Sequence, residues 1–82
     1  SPKAPSHILV IPKGAYTDHR DFTARAGDAE VAGFERAVGK MAASVQGGYR
    51  LISNCGANAH QEVPHYHVHI LGGRALGPML AG

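Results

Sequence analysis

His65-Tyr66-His67-Val68-His69-Ile70-Leu71 is the stretch on which the reading of this chain turns. Imidazoles alternate with apolar or aromatic side chains, and in a strand every second side chain points to the same face. A strand over residues 63–71, closed by Gly72-Gly73, puts His65, His67 and His69 in one row at steps of roughly 7 Å. Tyr66, Val68 and Ile70 take the opposite face, where a helix can cover them. Three imidazoles do not suit a packed interior, because buried polar groups need partners. The histidine face is therefore read as an open site.

Working outward, residues 49–54 read as a second strand, joined to the first by a loop over residues 55–62 rich in Gly, Asn and Ala. His7-Ile8-Leu9-Val10-Ile11, bounded by Pro5 and Pro12, is a short apolar run of the kind that forms a buried strand. Pro12-Lys13-Gly14 breaks it, and residues 14–27 read as an irregular connection ending at Gly27. Asp28 is the expected N-cap of a helix whose apolar face is Val31, Phe34, Val38, Met41, Ala42 and Val45. Glu30 suits the positive end of its dipole, and Gly47-Gly48 supplies the stop. Gly33 and Gly39 weaken the helix by roughly 1 kcal/mol each relative to Ala, and are read as marks of close packing. Residues 74–82, broken at Gly77-Pro78, form a tail packed on the rest. The order strand, helix, strand, strand implies a single α+β domain over residues 1–82 with a mainly antiparallel sheet.

The 82 residues carry a net charge of +2, and the eight Lys and Arg are scattered rather than clustered. No basic stripe exists to hold a nucleic acid. No charged leader or 18-residue apolar run points to export or a membrane. The single cysteine, Cys55, cannot close an internal disulfide. A cytoplasmic protein is expected. Cys55 reads as a free, unreactive thiol, and His19 and His60 as solvated loop histidines. Arg74 reads as a phosphate ligand or half of a structural ion pair.

Six histidines are the unusual component. Neutral imidazole is a good nucleophile near neutral pH. Attack by His67 on phosphorus would split one displacement into two through a covalent intermediate. Flanking imidazoles would donate to phosphoryl oxygens or protonate a leaving group. The same histidines could instead hold zinc, since two ligands on one strand need only a third from elsewhere. On these residues alone the two readings are equal.

The His-x-His-x-His pattern followed by Ile70-Leu71-Gly72-Gly73-Arg74 resembles the signature of the histidine-triad (HIT) family of nucleotide hydrolases and transferases. The likeness extends to residues 1–13, which resemble that family's upstream strand with its fourth histidine, His7. It includes Tyr49-Arg50-Leu51-Ile52-Ser53-Asn54 and Gln61-Glu62-Val63. The ending, residues 72–80, resembles the bacterial purine nucleoside phosphoramidases. The resemblance implies a HIT-like fold and a purine nucleotide substrate cleaved at the α-phosphate, with no cofactor and no metal. His67 would be the nucleophile, the His65 carbonyl would orient its ring, and His69 would contact phosphate oxygens. His7 would sit beside His65. Asn54 would line the nucleotide site, and Gln61, Glu62 and Val63 would hold the phosphate. Glu62 stands where some members carry serine. The helix would also help form a homodimer. Family members usually carry a further N-terminal segment with base- and ribose-binding residues, which these 82 residues do not include. Two readings compete with this one: a zinc-dependent hydrolase, and a non-catalytic nucleotide-binding or scaffold protein.

Overall fold

A computed structural model describes residues 6–79. Strand β1 (Ser6–Val10) is followed by helices α1 (His19–Arg25) and α2 (Asp28–Ala42), strand β2 (Tyr49–Ile52), a single 3₁₀ turn (Ala57–Ala59) and strand β3 (Val68–Gly72). The sheet runs β1-β3-β2 and both pairings are antiparallel. β3 is central, so the histidine segment has a neighbour on each side. Val10 pairs with Val68 at one end of the β1 ladder, and Ile52 pairs with His69 at the end of β2.

The α+β architecture is the one the sequence implies, with corrections at several boundaries. Residues 14–27 are not irregular throughout. Asp18 caps α1 by accepting from the Asp21 N–H at 2.8 Å, and Asp21 accepts in turn from the Thr17 N–H at 2.9 Å. Arg25, one turn on, pairs with Asp21. These contacts hold the Asp21 carboxyl well below the usual carboxylate range, Arg25 contributing most. With only Phe22 buried, this seven-residue helix has no apolar periodicity to reveal it. Gly27, not Asp28, is the N-cap of α2, and no side chain caps that end. Asp28 instead lies in the first turn, where its charge suits the dipole.

The core is formed by Phe22, Phe34, Val38, Ala42, Val45, Tyr66, Val68 and Ile70. Phe22 stacks on Tyr66 with centroids 4.9 Å apart, and Phe34 meets both rings at 5.3 and 5.4 Å. Met41, expected on the apolar face, is half exposed. α2 ends at Ala42, and Val45 reaches the core from the turn beyond it. There it lies against Gly72, where a Cβ would collide with Val45 Cγ1 and stand 3.0 Å from the Gly48 carbonyl. Nothing lies within 4 Å of a Cβ built at Gly33 or Gly39, so neither marks close packing within this chain. The tail is anchored where Arg50 donates to the Gly77 carbonyl. Residues 1–5 and 80–82 of the expected upstream strand and tail lie outside the described residues. No helix among the described residues is long and apolar enough to cross a membrane.

Candidate active site

The third strand is shorter than expected. Of the three histidines only His69 lies in β3, and residues 63–67 approach it outside the sheet ladder, bent at residues 63–65. Pro64 brings no N–H to a ladder, and neither neighbouring strand reaches that far. Alternation nevertheless survives. Tyr66, Val68 and Ile70 are buried, while His65, His67 and His69 are half-buried. The core, not the ladder, sets this phase: Tyr66 is clamped among aromatic rings, and its N–H donates to the Tyr16 carbonyl at 2.7 Å.

His67 is held from both sides. Its Nδ1 lies 2.8 Å from the His65 carbonyl oxygen. A carbonyl only accepts, so Nδ1 carries the proton and Nε2 keeps its lone pair. The His67 carbonyl accepts from Ser53 Oγ at 2.8 Å, which ties the segment to the end of β2. The rings of His67 and His69 meet nearly edge to face, 4.9 Å apart.

His7 is not the partner of His65. Its Nε2 lies 2.8 Å from His69 Nδ1, and the two rings are 5.0 Å apart. The antiparallel register explains this: Leu9 stands opposite His69, and His7 reaches it from two residues along β1. Burial pushes the His69 pKa below its ordinary value, and the neighbouring His67 and His7 add to the shift. His69 is thus neutral near neutral pH. If His7 Nε2–H donates to Nδ1, His69 presents its Nε2–H as a donor. The His65 ring takes no visible part, since its Nε2 is buried without a partner among the described residues. His65 contributes through its backbone.

Asn54, His60, Gln61, Glu62, Val63, His67 and His69 line one cleft of about 280 Å³. Four of these, Asn54, Gln61, Glu62 and Val63, together with His67 and His69, were singled out in the sequence for a nucleotide or phosphate. The Gln61 side chain is already engaged. Its oxygen accepts from the Gly56 N–H at 2.8 Å, and its amide donates to the carbonyls of Thr17 and Val63 at 2.7 and 3.1 Å. Gln61 is therefore a clamp that shapes the loop, with both side-chain N–H groups already donated to carbonyls.

His60 is the solvated loop residue expected, its side chain largely exposed, with one further contact. It ends the 3₁₀ turn at φ +60°, the left-handed region, which costs a non-glycine residue roughly 1 kcal/mol. Its Nε2 lies 2.8 Å from Glu62 Oε1, with both side chains largely exposed at the cleft rim. The sequence signal for that pair was the two-residue spacing, too common to stand out. Of the remaining residues, Cys55 is a partly buried free thiol. His19 is exposed at the start of α1, its ring 5.8 Å from Tyr66. Arg74 lies in a separate polar cleft with Arg50 and the Gly47-Gly48 turn.

Zinc ligation requires ring nitrogens that converge. Here His7 Nε2 and His69 Nδ1 face each other and His67 Nδ1 faces a carbonyl. Among the described residues no three His, Cys, Asp or Glu side chains are arranged to hold a metal ion. The residues as placed do not fit that group.

Residues 1–76 match the family model described as the HIT domain. A HIT-like protein of Azospirillum brasilense is 59% identical over 98% of this chain and 68% of its own length. The purine nucleoside phosphoramidase of Escherichia coli is 43% identical over 99% of this chain and 70% of its own. A 14 kDa zinc-binding protein of Zea mays is 41% identical over 93% and 62%. Among solved structures, a histidine triad protein from Clostridium difficile superposes with a TM-score of 0.78 at 39% identity, covering 95% of this chain and 70% of that one.

Proposed function

The chain belongs to the HIT family, and from that premise we propose that it is a nucleotide hydrolase or transferase of the histidine-triad type, cleaving nucleoside phosphoramidates or related adenylates at the α-phosphate. His67 Nε2 attacks phosphorus while the bond from phosphorus to the leaving group breaks, and the departing group takes a proton. Water then attacks the His67-nucleotidyl intermediate, the P–Nε2 bond breaks, and the nucleoside monophosphate leaves. The observation that carries this reading is the hydrogen bond from His67 Nδ1 to the His65 carbonyl, which leaves the lone pair on Nε2.

The other histidines take supporting roles. His69 Nε2–H donates to a non-bridging oxygen and stabilises charge as it develops. Donation from His7 Nε2–H to His69 Nδ1 would set the tautomer required for that role. Asn54 lines the nucleotide site, and the backbone at Glu62 and Val63 faces the phosphate. A purine nucleotide as substrate, assembly as a homodimer and a cytoplasmic setting belong to the same proposal.

The test is turnover of adenosine 5′-phosphoramidate by purified protein, with and without a chelator. Turnover unaffected by chelation is expected. The maize relative is named as zinc-binding, which prompts the competing reading of zinc-dependent hydrolysis, though the placement of the ring nitrogens does not support it. Stoichiometric zinc and activity abolished by chelation would establish that reading instead. Nucleotide binding without any turnover would leave a binding module.

A further inference from the structure

The loop wall of the cleft carries one charged side chain that the displacement itself does not use. Glu62 and His60 line the same cleft as His67 and His69, and His60 Nε2 stands 2.8 Å from Glu62 Oε1. A carboxylate at this position is badly suited to the anionic phosphoryl group, because like charges at contact distance repel. His69 and the loop backbone already face the phosphoryl oxygens. The other side of the scissile bond remains, and there a negative charge attracts a positive one.

The loop keeps that carboxylate in place. His60 is the only non-glycine residue with a positive φ among the described residues. In that conformation its Nε2–H donates to Glu62, a contact that glycine could not make. The turn beneath is tied down by His60 N–H to the Ala57 carbonyl at 2.9 Å and Gln61 N–H to the Gly56 carbonyl at 3.1 Å. The Gln61 side chain holds the Gly56 N–H as well.

We propose that Glu62 is a specificity residue that selects leaving groups bearing a positive charge, such as an alkylamine with a terminal ammonium, and that His60 positions it. The proposal rests on the hydrolase reading above. It alters no bond in that reaction: P–Nε2 of His67 forms, P–N to the amine breaks, and the amine departs after taking a proton from solvent. Glu62 holds the charged tail during the first displacement.

The test compares kcat/KM for two adenosine 5′-phosphoramidates of equal tail length, one ending in an ammonium group and the other in a methyl group. Wild-type protein should prefer the charged tail by about five-fold at low ionic strength, as befits an exposed pair, and less in high salt. Glu62→Gln should bring the ratio to about one. His60→Gly should lower it while leaving the melting temperature unchanged or higher, and His60→Gln, which keeps a donor, should restore it. A wild-type ratio near one, or a ratio unmoved by Glu62→Gln, would overturn the proposal. Failure of wild-type protein to cleave either compound would overturn the hydrolase reading beneath it.

Discussion

The two walls of the cleft are held in different ways. The histidine wall is backed by the core: Tyr66, Val68 and Ile70 are buried behind it, and β3 is paired on both sides. The loop wall, residues 54–62, has no buried side chain, and its shape is set by the hydrogen bonds of the 3₁₀ turn and by those between Gln61 and Gly56, Thr17 and Val63. A group that must meet phosphorus within a fraction of an ångström belongs on the stiff wall. A group that chooses among leaving groups tolerates the softer one. On the proposed reading, chemistry and selection are thereby separated onto two pieces of backbone that can be perturbed one at a time.

His67→Ala gives the largest effect and the sharpest form of this contrast. Turnover should fall on the order of 10⁴-fold or more. Stability should change by no more than about 1 kcal/mol, because the half-buried ring lies outside the core cluster. Chemical denaturation beside kinetics checks both. Tyr66→Ala, one residue away on the opposite face, should do the reverse. It removes a ring packed on Phe22 and Phe34 and should cost about 3–5 kcal/mol, a large part of the stability of so small a domain. A Tyr66→Ala protein with undiminished denaturation midpoint would show that the core does not hold the histidine wall.

On the loop wall the effects are smaller. Gln61→Ala deletes contacts to Gly56, Thr17 and Val63, and should lower stability by about 1–2 kcal/mol. Hydrogen exchange at the Gly56 amide should accelerate more than exchange at core amides such as Ile70. Equal acceleration at both would mean that the loop is not an independent unit.

The smallest effect is that of pH on His69. Its pKa is lowered in the folded chain, chiefly by burial, so the unfolded state binds the proton more readily. The stability it contributes is complete above the unfolded value of about 6.5 and declines as pH falls below it. Melting temperature followed from pH 8 to 5 should therefore drop at the acid end, and His69→Asn should flatten that drop. A curve unchanged by the substitution would remove His69 as its source.

Much of the stiff wall was legible in the sequence because alternation is a strong local signal. Period two assigned faces to residues 65–70 correctly even where the strand itself is absent, since burial of Tyr66 enforces the same phase as a ladder. The boundaries were less legible. Pro64 was the clue that residues 63–67 stay unpaired, but the apolar residues around it outweighed it. The His7–His69 contact depends on register between strands whose two histidines stand 62 positions apart, which no local pattern carries. α1 was missed for lack of periodicity, although Asp18, Asp21 and Arg25 spell out its cap and its ion pair. The Gln61 clamp and the left-handed His60 are properties of one particular turn, and residue types alone do not disclose them.

A covalent bond from His67 to phosphorus, as proposed, can be trapped and located. Wild-type protein mixed with adenosine 5′-phosphoramidate and quenched in base within a single turnover, then mapped by mass spectrometry, tests it most directly. One adenylyl group is expected on His67, labile to acid and absent from His67→Ala. An adenylyl group on another residue, or turnover retained by His67→Ala, would contradict it.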